Sequence, residues 1–300
     1  MARRAIHGKS PPTPPVASSP PPMPKDQQRV FEEEQLLLFD ETPYLALPPF
    51  ARVGSQRWIQ VAINRAPHLL LEALRTPLGL DDKAHIRWRS PLATEGFREY
   101  RDRVALHRLG IHLPPRSLSG WWPDGGPVWD GLGQVSDGQM LFLEAKAHIG
   151  EIFSPPTRAT PDSLRIIERS LGEARQHYAP GSKASWSQMG FQLANRLAWH
   201  YFLRTVHGQP SHTVFLYFIN CTEMRGPVSA QEWEKPIHYL HKRLGLPPNF
   251  HPPGVHSVFF DVSLLTEYAE IPAPLDPSVW QPTHNPWARG FVQQWPSSSR

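Results

Sequence analysis

Apolar residues recur at the three- and four-residue spacing of amphipathic helices in several parts of the chain. The predicted helices begin at Ser55, Pro67, Ser185 and Ser229, and two more run from Pro91 to Arg108 and from Pro161 to Tyr178. Serine and proline at these positions are typical of the first residues of helices. Pro236 is expected to kink or restart the last of these helices.

Shorter apolar runs predict strands. They are Val128–Val135, Met140–His148, Val214–Ile219 and Val255–Val262. The first two flank Ser136-Asp137-Gly138, and Asp-Gly between two apolar runs is a strong signal for a β-hairpin. The third is continuously apolar, as in a buried central strand. Strands that alternate with helices predict an α/β fold, a mixed central sheet flanked by helices, over residues 40–290.

The first 28 residues differ in composition from the rest of the chain. Prolines dominate in Pro11–Pro15 and Pro20–Pro22, with few apolar residues to form a core. This composition predicts a disordered arm, residues 1–28, outside the α/β domain. Its PxxP spacings could bind a protein partner with an aromatic groove, although a solvated tail has the same composition.

Charge and cysteine content narrow the class of protein. The chain of 300 residues has 31 Lys and Arg against 27 Asp and Glu, so its net charge is +4, which permits contact with phosphates but does not require it. One cysteine, Cys221, excludes an internal disulfide and a Cys-rich zinc site. No apolar run has the length of a membrane helix, and no apolar stretch follows Arg3 and Arg4. We therefore expect a soluble, cytoplasmic protein without a membrane partner.

The predicted hairpin carries the residues with the clearest chemistry. Side chains alternate along a strand, so Glu144 and Lys146 share one face with Met140 and Phe142. Burying a carboxylate and an ammonium among apolar side chains is costly unless they are paired or bind a metal. The hairpin turn returns Asp130 to the same place. Two carboxylates and a lysine are therefore predicted to converge.

This combination suits hydrolysis of phosphodiester bonds. Two carboxylates can hold a hard cation such as Mg²⁺, which keeps several water molecules and can also bind phosphate oxygens. The cation polarises the phosphoryl group and lowers the pKa of a bound water molecule. A lysine beside it can orient that water and offset negative charge on the phosphate.

Asp130 followed by Glu144-Ala145-Lys146 on the next strand resembles the D…ExK signature of the PD-(D/E)XK nucleases, the restriction-endonuclease-like phosphodiesterases. The resemblance implies that Mg²⁺ or Mn²⁺ is bound by Asp130, Glu144 and the carbonyl of Ala145, with Lys146 next to the attacking water. It covers about thirty residues, and the surrounding α/β order is compatible with it. In one departure from the signature, Trp129 takes the place of the proline.

The same resemblance suggests two further site residues. An acidic residue from a preceding helix often completes such sites, and Glu99 is our first choice, with Glu95 second. A glutamine on the helix after the core strands also occurs in some members. Gln192 is the candidate here, although no tyrosine follows it at the usual short spacing.

The leading hypothesis is a metal-dependent nuclease, with DNA preferred over RNA as the substrate on the resemblance alone. A non-catalytic nucleic-acid-binding or scaffold protein that retains the fold is the first alternative. The second is an α/β protein in which Glu144 and Lys146 form a structural ion pair on a half-solvated strand and the Pro-rich arm recruits a partner.

Overall fold

A five-stranded mixed sheet organises residues 48–114 and 117–270, the part of the chain that the computed structural model describes. The strands are β1 (Ile86–Ser90), β2 (Gly131–Val135), β3 (Met140–Lys146), β4 (Ser211–Ile219) and β5 (Val255–Asp261). They lie side by side in chain order. β1 to β3 form an antiparallel meander, whereas β3, β4 and β5 run parallel to one another.

Helices connect the parallel strands and cover the sheet. They are α1 (Gly54–Asn64), α2 (Pro67–Leu78), α3 (Asp102–Arg108), α4 (Ser117–Trp121), α5 (Pro161–Tyr178), α6 (Phe191–His200), α7 (Ala230–Leu244) and α8 (Thr266–Glu270). A π-helical turn, Tyr201–Val206, extends α6. The predicted α/β class with a mixed sheet is confirmed. The predicted arm, residues 1–28, and both ends of the predicted domain 40–290 lie outside the described residues.

Each face of the sheet has its own apolar core. Leu141, Leu143 and Ala145 of β3 pack in one cluster with residues of α1 and α2. Phe142 lies in the other cluster, together with Trp129 and residues of α5, α6 and α7. Because side chains alternate along β3, Glu144 and Lys146 project from the same face as Phe142, beneath α5 to α7.

The predicted helix from Pro91 to Arg108 is wrong. A single 3₁₀ turn, Ala93–Glu95, is followed by Gly96 and Phe97 with φ of 67° and 57°. These left-handed conformations interrupt a right-handed helix. Tyr100 then pairs with Trp129 in an isolated antiparallel bridge, and only Asp102–Arg108 is helical.

Strand β1 was not predicted from the sequence. It contains Arg87 and Arg89 and forms an edge of the sheet, antiparallel to β2. Charged residues are common on edge strands, where one side of the backbone has no partner strand. Because of Arg87 and Arg89, β1 lacks the run of apolar residues from which the other strands were predicted.

Helix α6 also begins later than predicted. Ser185 does not cap it. Trp186 is instead buried and donates its indole N–H to the carbonyl of Leu244 at 2.9 Å, and this contact holds the segment before α6 outside the helix. Gly190, at φ 87°, directly precedes the helix. The position of α6 thus depends on contacts distant in sequence.

Four other predicted helix starts can be compared with the structure. Ser229 accepts a hydrogen bond from the backbone N–H of Glu232 at 3.3 Å and caps α7, as predicted. Helix α7 continues through Pro236 without restarting. Pro67 and Pro161 begin α2 and α5, whereas α1 begins at Gly54, without a capping side chain, and not at a Ser55 cap.

Replacing Gly190 by alanine should destabilise the protein. The left-handed conformation costs a residue with a Cβ about 1–2 kcal/mol, and the added Cβ would collide with the side chain of Leu240. We expect urea denaturation to show a free energy of unfolding lower by about 1–3 kcal/mol.

Gly172, in the middle of α5, provides the matched control. A Cβ at Gly172 meets no atom within 4 Å. Gly172→Ala should therefore stabilise the protein by about 0.5–1 kcal/mol through helix propensity. Equal effects of the two substitutions would contradict the role given to Gly190.

Candidate active site

The hairpin places Asp130 beside Glu144. Gly131 at the start of β2 pairs with Leu143 of β3, so the residue before Gly131 lies next to Glu144. The Asp130 backbone N–H donates to the carbonyl of Leu143 at 3.1 Å. Oδ2 of Asp130 accepts a hydrogen bond from the backbone N–H of Ala145 at 2.7 Å. The backbone of β3 therefore holds the Asp130 carboxylate in place.

Glu144 is the centre of a buried group of three charged side chains. Its Oε1 accepts a hydrogen bond from Nζ of Lys146, and its Oε2 accepts one from Nε of Arg196 at 2.7 Å. Nη2 of Arg196 contacts the same Oε2. The side chains of Glu144, Lys146 and Arg196 are only 3%, 10% and 5% exposed. The hypothesis of a half-solvated ion pair is therefore wrong about exposure, although the pair itself is present.

Arg196 of α6 was missed in the sequence analysis. Its guanidinium lies 4.7 Å from the ring centroid of Trp129, and Nη2 donates to the carbonyl of Val128 at 2.6 Å. Nη1 donates to Oδ1 of Asn195 at 2.9 Å. The available signal was a charged residue amid an apolar helical segment, which requires a buried counter-charge. The apolar neighbours are Leu193, Ala194, Leu197 and Ala198.

The charges in this group move one another's pKa values in different directions. Burial, followed by the nearby carboxylate of Glu144, raises the pKa of Asp130 to about 7. Burial also raises the pKa of Glu144, but Arg196 and Lys146 outweigh it and bring the pKa below its ordinary value. For Lys146, burial lowers the pKa, but the charges of Glu144 and Asp130 raise it by more. The pKa of Lys146 therefore lies above its ordinary value. Lys146 is therefore an ammonium ion at neutral pH, and Asp130 titrates there.

The two candidate acidic residues occupy different environments. Glu95 accepts hydrogen bonds from the hydroxyl of Tyr100 at 2.7 Å and from Arg108. Within the described part of the chain, Glu99 accepts a single long hydrogen bond, from Gln56 at 3.4 Å. Burial first, and then the charge of Glu144, raise the pKa of Glu99, and Glu99 in turn raises that of Asp130. Glu99 thus lies within electrostatic reach of the site. Both residues lie outside regular α-helix, contrary to the prediction.

A cleft of about 530 Å³ opens onto these side chains. It is lined by Asp130, Glu144, Ala145 and Lys146 from the sheet, by Phe191, Gln192, Asn195 and Arg196 from α6, and by the connection Ser154–Arg158, with Ser55, Pro127 and Val128 completing the wall. Gln192 lines the cleft, and its backbone N–H donates to Oγ of Ser154 at 2.8 Å. The volume is in the range of small-molecule and cofactor sites.

The oxygen atoms of the site are compatible with one hard cation. Oδ1 of Asp130 accepts no hydrogen bond from residues 48–114 or 117–270, and Oε1 of Glu144 accepts one, from Lys146. Mg²⁺ requires only one or two carboxylates, because it keeps several of its water molecules. Within those residues, no group of three or more His, Cys, Asp or Glu side chains is arranged to hold a metal ion. Any cation would therefore be held mainly by Asp130 and Glu144.

Comparisons with protein-family models, with curated proteins and with solved structures find no match to this chain. Among the helices of residues 48–114 and 117–270, none is long and apolar enough to cross a membrane. The cleft and its charged residues are therefore the features of the molecule that bear on its function.

Asp130→Asn should change how the stability of the protein depends on pH. The folded-state pKa of Asp130, about 7, lies above the unfolded value near 4, so the folded state binds this proton more tightly. The stabilisation from that proton is fully present below about pH 4 and is lost as the pH rises to about 7. Asparagine keeps the hydrogen bond to Ala145 without titrating. The variant should therefore gain stability relative to wild type as the pH rises from about 4 to about 7.

The measurement is urea denaturation in EDTA across that range. Asp124→Asn, at an exposed position, is the control and should not reproduce this gain in stability. A difference between Asp130→Asn and wild type that does not change with pH would show that the Asp130 carboxyl is not perturbed by its surroundings.

Proposed function

We propose that this protein is a Mg²⁺- or Mn²⁺-dependent nuclease of the PD-(D/E)XK type, with a restriction-endonuclease-like core, that hydrolyses phosphodiester bonds of nucleic acid, DNA in preference to RNA. The observation that carries the proposal is the convergence of Asp130, Glu144 and Lys146 on one wall of the cleft. Their contacts are fixed by the hairpin and by α6.

Each residue has a distinct part in the proposed reaction. When bound, the cation supplies Lewis-acid polarisation of the phosphate and a more acidic water molecule. Asp130 and Glu144 hold this cation. Lys146, whose pKa is raised by Glu144 and Asp130 despite its burial, stays protonated. It therefore orients the water and offsets charge on the phosphate, and does not act as a base.

The rim of the cleft has side chains that suit an anionic substrate. Arg158 is exposed and lines the cleft with Thr157. A phosphate on the rim would contact a guanidinium that is accessible to solvent, and arginine binds phosphate oxygens through two parallel hydrogen bonds. Phe191, at the start of α6, also lines the cleft, and nucleic-acid bases stack on aromatic rings.

One observation favours the alternative of a non-catalytic nucleic-acid-binding or scaffold protein. Both carboxylate oxygens of Glu144 are already bonded to cationic side chains. A fully paired carboxylate can stabilise the fold without binding any metal. The two functions differ in whether the cation binds and whether phosphodiester bonds are cleaved.

Asp130→Asn and Lys146→Ala should affect the protein differently. The first keeps the shape of the side chain but removes the charge that holds the cation, so cation binding and cleavage should fall together. The second leaves both carboxylates in place and should mainly reduce cleavage, by about 10²-fold or more. Calorimetric titration with Mg²⁺ and cleavage assays on single- and double-stranded DNA and RNA measure both properties.

Asp124→Asn and Lys183→Ala are matched controls at exposed positions outside the cleft lining. Both should retain wild-type cation binding and cleavage. If the wild-type protein binds no cation and cleaves none of the substrates with Mg²⁺ or Mn²⁺, the nuclease proposal fails and the scaffold function takes its place.

A further inference from the structure

The hydrogen bonds to Glu144 limit how many cations its carboxylate can bind. An ionised carboxylate has about four acceptor positions on its two oxygens. Oε2 is occupied by Nε and Nη2 of Arg196, and Oε1 accepts one hydrogen bond from Lys146. Nε and Nη2 of Arg196 together cover Oε2, so that, among the residues that the structure describes, the more open oxygen for a metal ion is Oε1. A carboxylate that bridges two metal ions would have to release Arg196.

Arg196 is held too firmly for that release to be easy. Its side chain is 5% exposed, and its guanidinium lies over the ring of Trp129 and donates to the carbonyl of Val128. Leaving Glu144 would break a buried ion pair and leave both charges without compensation, which is strongly unfavourable. The arginine is therefore a permanent part of the site.

The balance of charges in the site also favours one bound cation over two. Apart from the solvent-exposed Arg158 on the rim, the charged groups in and near the site are Asp130, Glu144 and Glu99, with three negative charges when ionised, and Lys146 and Arg196, with two positive charges. One divalent cation changes the net charge of the site from −1 to +1, which a phosphodiester neutralises. A second cation would raise the charge to +3 in a region where burial weakens screening by solvent.

We propose that the site takes a single divalent cation and that the guanidinium of Arg196 fills the place that a second cation would occupy beside Glu144. This inference rests on the proposed nuclease function. Arg196 is then a positioning residue. It neutralises Glu144 and, through Val128 and Trp129, ties α6 to the segment that carries Asp130.

The number of bound cations tests this proposal without an activity assay. Wild-type protein is titrated above neutral pH, where protons compete least with a metal ion for the carboxylates, with Mg²⁺ by calorimetry and with Mn²⁺ by electron paramagnetic resonance. We expect one equivalent and no spin-coupled Mn²⁺ pair. Two equivalents would overturn the inference while leaving the nuclease proposal in place, whereas no binding would overturn both.

The variants Arg196→Met and Arg196→Lys distinguish the effect of the charge of Arg196 from the effect of its packing. Methionine frees Oε2 and removes one positive charge, so Arg196→Met should bind a second equivalent or bind the first at least about tenfold more tightly. Lysine keeps the charge, so Arg196→Lys should still bind one equivalent. Arg165→Met, on the exposed surface of α5, removes the same charge elsewhere and should match wild type.

Circular dichroism and thermal unfolding, with and without Mn²⁺, check that each variant is folded. If Arg196→Met is folded and binds one equivalent with wild-type affinity, Arg196 does not substitute for a cation and the proposal is wrong. If Arg196→Met does not fold, the comparison of wild type with Arg196→Lys decides. Two equivalents bound by Arg196→Lys would then overturn the proposal, because the retained charge should still exclude a second cation.

Discussion

The arrangement of this protein depends on the burial of Glu144. The carboxylate projects from a strand covered on both faces, and an isolated carboxylate there would be strongly destabilising. Lys146 compensates from two residues along the same strand, and Arg196 compensates from α6. Local sequence provides the first partner, whereas the second requires that α6 be positioned over the sheet. The ion group therefore links the helical layer to the hairpin.

The contacts between the helical layer and the hairpin are not limited to the charged side chains. Arg196 covers the ring of Trp129, and Trp129 packs against Phe142 with 4.9 Å between ring centroids. Trp129 also pairs through its backbone with Tyr100, whose hydroxyl bonds to Glu95. The site is thus the meeting point of β3, α6 and the loop before α3. Replacing the ion group by apolar residues of similar volume could preserve stability, but it would remove the charges of Glu144, Lys146 and Arg196 from the cleft.

The sequence predicts the parts of the site that depend on local geometry. Strand alternation and the Asp-Gly turn were sufficient to place Asp130, Glu144 and Lys146 together, because a hairpin fixes its own register. Arg196 could not be found in this way, since 51 residues separate it from Glu144 and the start of α6 is set by the distant contacts of Trp186 and Gly190. The loop containing Glu95 and Glu99 was wrongly predicted as a helix. Its charges and apolar residues fit a helical face, but left-handed backbone at Gly96 and Phe97 interrupts it.

The same cations that stabilise Glu144 also weaken its attraction for a metal ion. Lys146 and Arg196 reduce the negative potential of the cleft, and Asp130 binds a proton near neutral pH in competition with metal. In the proposed nuclease, the free site would then bind Mg²⁺ only modestly. A phosphodiester brings a further negative charge to the cleft and favours the cation, and the cation favours the phosphodiester by the same free energy, because coupling between two ligands is reciprocal. In the proposed nuclease, a bound phosphodiester would therefore tighten the binding of the cation beyond that of the free site.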